Sequence, residues 1–210
     1  MFIRFVELVL FFMLGAFLTE GIGWAWHRWV PHAGVFGHVL VRILRGRHFD
    51  HHTQVYPVKH LSSGRYQKSC ELTFHLMGVG FILLLATAWK LDYLSTISCA
   101  SMLFGALLYG IYGLGRMHDL YHVEAHEVKK IWLFKNKYAW RMYVYLRDYH
   151  MIHHYRNKNF AIVLPVFDWL GGTFMHPEYL QVLKKERLNR DNLFPGFNPR
   201  LTTTCDKPFM

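Results

Sequence analysis

Ten of the fifteen histidines fall into four short clusters. His27 and His32 stand five apart in HRWVPH. His48, His51 and His52 form HFDHH, His118 and His122 form HDLYH, and His150, His153 and His154 form HMIHH. On an α-helix, residues at i, i+3 and i+4 share a face, so each HxxHH presents three imidazoles to one side and HxxxH presents two. His27 and His32 share no α-helical face. Pro31 disfavours helical geometry at Val30, so the first helix is predicted to end there and free His32 to turn inward. Ten imidazoles exceed what one ion holds and suit two ions with about five nitrogens each. Imidazole suits zinc, iron, copper and nickel. No carboxylate recurs at ligand spacing, which separates this pattern from the Glu-rich di-iron sites of soluble four-helix bundles.

The ten clustered histidines are therefore the expected metal ligands. Metal-bound rings usually donate their second N–H to a carboxylate or carbonyl. Asp50, Asp119 and Asp148 lie beside or within clusters and are candidates for that role, against plainer roles as helix caps or surface charges. His38, His60, His75, His126 and His176 read as ordinary core or surface residues. Of these, His126 extends His118 and His122 by one more four-residue step, and His75 lies at the mouth of an apolar segment. Tyr121, inside HDLYH, reads as aromatic packing, with a hydrogen bond near the metal site as the sharper alternative. No nucleophile or acid–base pair needs to be invoked.

The elements that must position these residues are apolar. Residues 5–26 (FVELVLFFMLGAFLTEGIGWAW) are long enough to cross a hydrocarbon core of ~30 Å. Glu7 lies near one end, and Glu20 is expected to face the interior. Only Arg4 precedes the run and no A-x-A site follows, so an uncleaved span is preferred to a signal peptide. Residues 72–89 make a second span, Lys90 and Asp92 a polar turn, and residues 95–115 a third span whose small residues permit close helix contact. The loop between the first two spans carries Arg28, Arg42, Arg45, Arg47, Lys59, Arg65 and Lys68, and the region after Arg116 is also basic, whereas the hairpin turn has only Lys90. The positive-inside rule puts residues 27–71 and 116–210, and with them all four clusters, on the cytoplasmic face. Residues 131–147 mix aromatics with Lys and Arg as an interfacial amphipathic helix does. Residues 161–175, with Pro165 and Asp168, are too short to span and belong to the polar part or the interface. The expected fold is all-α: an integral membrane protein of about three transmembrane helices and a cytoplasmic helical cap that holds a dimetal site.

Composition agrees. A chain of 210 residues is one domain by length. It is 52% apolar and 18% charged, where soluble domains run near a quarter charged. Mean hydropathy is only +0.09, which fits a membrane part joined to a sizeable polar part. A net charge of +10 suits anionic headgroups or acidic partner proteins. No nucleic-acid motif occurs, and the basic residues flank apolar segments, so no nucleic-acid partner is expected. Cys70, Cys99 and Cys205 form no CxxC pair and are odd in number, which argues against a disulfide scaffold and a zinc ribbon.

The ordered set HRWVPH, HFDHH, HDLYH and HMIHH resembles the membrane fatty acid hydroxylase superfamily, which includes sterol desaturases, fatty acid 2-hydroxylases and carotenoid hydroxylases. NFAIVLPVFDWLGGTF (159–174) is similar to the stretch that often follows the last histidine box, and EGIGWAWHRWVPH (20–32) to the start of the family's catalytic region. The resemblance covers roughly residues 15–178. Residues 1–14 then begin the first span, and residues 179–210 form a polar tail whose Pro195, Gly196 and Pro199 suggest an irregular end.

By that resemblance the ten histidines hold two iron ions (zinc is possible in isolated protein), each HxxHH dividing its rings between them. The implied activity is O2-dependent hydroxylation of a lipid C–H bond, in a fatty acyl chain, a sterol or a carotenoid. The lipid would enter from the bilayer. No cytochrome b5-like domain is present, so electrons are expected from a separate cytochrome b5-like or ferredoxin-like protein. Desaturation by the same centre is the near alternative. A non-catalytic zinc protein is the distant one. A bis-histidine haem carrier is disfavoured, because His75 is the only histidine inside or at the edge of a span apart from those at the span boundaries.

Overall fold

The computed structural model describes residues 2–32, 48, 50–65 and 73–193. The expectations for His38, Cys70, Cys205 and the tail beyond Leu193 lie outside them, as does the side chain of His75. Among the described residues the protein is helical, with no strand beyond one isolated bridge between Ser63 and Val123.

Helix α1 (Phe2–His27) does not stop before Pro31. It widens into a π-helical turn over Arg28–His32. This corrects the predicted helix end, and the reason is physical. Proline has no N–H to place in the i−4 ladder, and the i→i+5 register of a π-turn absorbs that gap without ending the coil. A second π-turn spans His51–Val55. Helix α2 (Thr73–Lys90) and helix α3 (Thr96–Leu108) form the expected hairpin. Ser95 opens α3 by accepting from the Ser98 N–H, an N-terminal cap. The coil then continues as a third π-segment, Tyr109–Met117, into α4 (His118–Tyr121).

Helix α5 (Ala125–Val128) and a 3-10 turn (Trp132–Lys135) lead to α6 (Lys137–Tyr155). The amphipathic helix expected over 131–147 is thus split. Asn136 breaks it, its Oδ1 accepting from Tyr138 N at 2.9 Å and Ala139 N at 3.2 Å, and the helix it starts runs on through the last histidine cluster. Pro165 precedes the short α7 (Val166–Leu170). Helix α8 (Tyr179–Leu193) packs on α6 with Leu180 and Leu183 buried.

Among the described residues two stretches are long and apolar enough to cross a membrane, Arg4–Val30 and Thr96–Tyr121; the apolar helix Gly78–Lys90 is shorter. Phe5, Leu10, Met13, Leu83, Leu84 and Phe104 are exposed along these helices. Helices α1 and α3 cross at backbone distance. A Cβ on Gly15 would meet the Met102 carbonyl oxygen at 2.1 Å, and one on Gly105 would meet that of Phe12 at the same distance. Glycine is the residue that permits such an approach. Ser98 Oγ donates to Glu7 Oε1 at 2.8 Å and locks the far end of the pair.

The larger buried cluster lies beyond this hairpin, around Leu114, Tyr121, Tyr143, Leu146, Ile152 and Ile162. Glu20, fully buried, joins the two parts. Its Oε1 accepts from Ile162 N at 2.7 Å and Val163 N at 3.1 Å, and its Oε2 from Tyr109 OH at 2.5 Å. The expectation that Glu20 faces inward is met.

Candidate metal centre

Nine of the ten predicted ligands converge in two sets. His27, His32, His48, His52 and His153 form one; His51, His122, His150 and His154 form the other. Within each set, one ring nitrogen per residue lies within 4.8 Å of all the others. The first is the outer set: His27, His32 and His52 are half-buried. In the second, the inner set, every ring is buried. The sets abut, with the His52 and His154 rings 4.1 Å apart between centroids. His118 lies outside both sets as defined by that distance, but its buried ring packs on His51 and His150 of the inner set, at 4.9 and 4.8 Å.

The spacing explains the division. At about 100° per residue, positions i, i+3 and i+4 fan over roughly 100° of a helix surface. HMIHH on α6 sends His153 to the outer set and His150 and His154 to the inner one. HFDHH sends His48 and His52 outward and His51 inward. The π-turn at Arg28–His32 brings His27 and His32 together, with ring centroids 5.3 Å apart, although five residues separate them. All three π-segments among the described residues carry or adjoin a histidine cluster.

The ring contacts fix which nitrogen faces inward. His27 Nδ1 bonds the Phe160 carbonyl at 2.7 Å, His153 Nδ1 that of Lys158 at 2.9 Å, and His32 Nδ1 the side-chain oxygen of Asn157 at 3.2 Å. In the inner set, His122 Nδ1 bonds the Leu61 carbonyl at 2.8 Å and His154 Nδ1 that of Tyr56 at 3.2 Å. A neutral ring that donates through Nδ1 keeps a lone pair on Nε2. The Nε2 atoms of His153 and His154 are buried without a hydrogen-bond partner. The Nε2 of His48 lies 2.8 Å from that of His32, 3.0 Å from that of His52 and 3.1 Å from that of His27.

One N–H at most can occupy that meeting point, so several lone pairs face one another. A cation turns their repulsion into attraction. Two nitrogens bound about 2.1 Å from one ion at right angles stand about 3.0 Å apart, which is the spacing observed around His48. The residues present therefore fit metal ions.

Burial pushes the imidazoles of His48, His51, His52, His150, His153 and His154 well below their ordinary range, and the neighbouring rings push the same way. It takes His122 down to about 4, against the opposing hydrogen bond to Leu61. Neutral imidazole is the form that binds metal.

For the five rings whose Nδ1 bonds an oxygen, the partner is a carbonyl or Asn157, not one of the three aspartates proposed from sequence. Asp50 accepts from Gln54 Nε2 at 3.0 Å. Tyr121 is fully buried, donates to the Ile162 carbonyl at 3.1 Å and packs at a tilt against Tyr143 and His150. His126 sits exposed between Glu124 and Glu127, outside both sets. His60 and His176 are also outside them.

Sequence reasoning missed the loop 157–161, which holds three outer-set rings. Asn159 adopts the left-handed region (φ 55°), which Asn tolerates better than most residues. Its side chain clasps Tyr149 O, Met175 O and Met175 N at 2.9, 2.9 and 2.7 Å. Asp168 was missed as well. It is fully buried and accepts five hydrogen bonds. The cue in the sequence was an Asp among apolar residues, in a segment too short to span. No family model, no curated protein and no solved structure matches the chain, so the geometry of the two histidine sets is what speaks for its chemistry.

Proposed function

We propose that the protein is a membrane-bound, O2-dependent dimetal oxidoreductase that hydroxylates a C–H bond of a lipid, in the manner of the histidine-box hydroxylases it resembles. The observation that carries this reading is the pair of abutting all-imidazole sets, each with its lone pairs turned inward. In this reading α1, α2 and α3 with its π-segment are three spans, and the polar part caps them on the cytoplasmic face. The outer set holds one iron, and the inner set, completed by His118, holds the other. Iron so bound would supply O2 activation, with two electrons drawn from a separate carrier protein. One oxygen atom ends in the alcohol, and the other leaves as water with two protons.

The chain's own residues bind, orient and exclude. Carbonyl oxygens hold the rings in the tautomer that binds metal. Phe160 packs against His27, His32 and His153, at 5.7, 5.2 and 5.2 Å between centroids, and keeps water from that flank. An apolar cleft of about 570 Å³ runs between α1, α2 and α3, within the size range of ligand pockets. Ile22, Phe81, Leu103 and Ile111 line it, and its lining ends at Leu114 and Gly115, just before His118. A hydrocarbon chain would lie there without contact with water. The half-buried outer set is the side open to approach.

The test is product analysis. Iron-loaded protein in lipid nanodiscs, given reductant, a carrier protein and ¹⁸O2, is expected to place one ¹⁸O atom in an extracted acyl, sterol or carotenoid product. An unlabelled double bond would move the reading to desaturation. No oxidised lipid from protein with both sites filled would leave a metal-binding protein without this activity.

A further inference from the structure

Five donors from three parts of the chain meet on one carboxylate. Asp168 Oδ1 accepts from Trp24 Nε1 at 3.0 Å, Phe160 N at 2.9 Å and Thr173 Oγ1 at 2.5 Å. Its Oδ2 accepts from Ala161 N at 2.7 Å and from Tyr149 OH. Trp24 lies one turn before His27 on α1, and Tyr149 is next to His150 on α6. The two backbone donors, Phe160 N and Ala161 N, lie on either side of the Phe160 carbonyl, which takes the His27 N–H at 2.7 Å. The adjoining residues Asn157 and Lys158 hold His32 and His153. The inner set is anchored elsewhere, on Tyr56 and Leu61.

We infer that Asp168 is a positioning residue chiefly for one metal position: through the 157–161 loop it sets the orientation of His27 and its outer-set neighbours, and it reaches the inner set only through Tyr149 beside His150. The inference rests on the dimetal reading above. An acceptor-only carboxylate is what the site demands. An amide in its place would turn an NH2 group toward at least two of the five donors, and the loop would shift away from His27.

The test is metal stoichiometry and affinity, read with cobalt(II) as the probe. Full-length wild-type protein and Asp168→Asn are stripped of metal in detergent, titrated with cobalt and followed by absorption and elemental analysis. Wild type is expected to take two ions. Asp168→Asn should keep one near wild-type affinity and hold the other about 10- to 100-fold more weakly, the usual cost of losing a group that orients a ligand. Tyr149→Phe and Thr173→Val each remove one donor and keep the carboxylate. They should weaken the same ion by a smaller factor, which keeps the test sharp if Asp168→Asn folds poorly. Two ions at wild-type affinity in all three variants would overturn the role of Asp168 and leave the dimetal reading standing. Equal loss of both ions in Tyr149→Phe and Thr173→Val would overturn its selectivity. Fewer than two ions in wild type would overturn the dimetal reading itself.

Discussion

The outer and inner histidine sets share both HxxHH motifs yet differ in two physical respects. The inner rings are all buried, and His122 and His154 hang on carbonyls of the 56–61 segment; Ser63, just beyond it, is bridged to Val123 (Ser63 N to His122 O at 2.9 Å, Glu124 N to Ser63 O at 2.9 Å). Three of the outer rings are half-buried, and three hang on the 157–161 loop. The difference teaches that one HxxHH spacing can serve two environments. The helix fans its rings, and the loops decide how tightly each is held. Three rings of the outer set are partly open to solvent. The inner set belongs to the folded core.

The largest effects that would break this comparison come from the ligands themselves. His150→Ala removes a ring only 1% exposed. It should cost the inner ion and destabilise the fold by about 2–4 kcal/mol, as large-to-small changes in a core do; thermal unfolding and elemental analysis read both. His48→Ala removes the ring whose Nε2 meets three others. It should cost the outer ion with a smaller change in melting temperature. Equal damage from the two would erase the distinction.

Chelation sharpens it kinetically. A polar chelator should strip the outer ion roughly tenfold faster than the inner one, because a buried ligand is reached only after local opening. Single-phase release followed by absorption would count against separate environments.

Acid tests the inner set in metal-free protein. The folded value for His122, about 4, lies below its ordinary 6.5, so the unfolded chain takes up the proton first. The stabilisation is whole above about pH 6.5 and is lost as pH falls toward about 4, on the order of 3 kcal/mol in all. Helical circular dichroism in denaturant should show a decline at least that large, because the other buried imidazoles add to it, and His122→Gln should remove its share. The smallest effect is Asn157→Ala. Its bond to His32 is exposed at 3.2 Å, and its loss should weaken only the outer ion, by a few-fold in a cobalt titration.

Much of the site was legible because metal ligation needs particular side chains at particular spacings. The apolar runs likewise marked helices that the structure places within a few residues, as 5–26 against Phe2–His27 and 72–89 against Thr73–Lys90. What escaped was backbone. The carbonyls of Phe160, Lys158, Tyr56 and Leu61, which take ring N–H groups, have no side-chain signature. The π-turn at Pro31 escaped because α-helical spacing rules hold five-residue separations apart. Asn136 was readable as a cap but sat inside an aromatic–basic run whose composition suggested one continuous helix.

The central claim is that two distinct ions sit in the two sets, and metal content tests it most directly. Anaerobically purified wild-type protein, His48→Ala and His150→Ala would be compared by elemental analysis with an optical spectrum. Two irons per chain in wild type, one in each variant and no haem band is the predicted result. No bound metal in carefully handled wild type, haem alone, or a single ion lost in both variants would contradict the account.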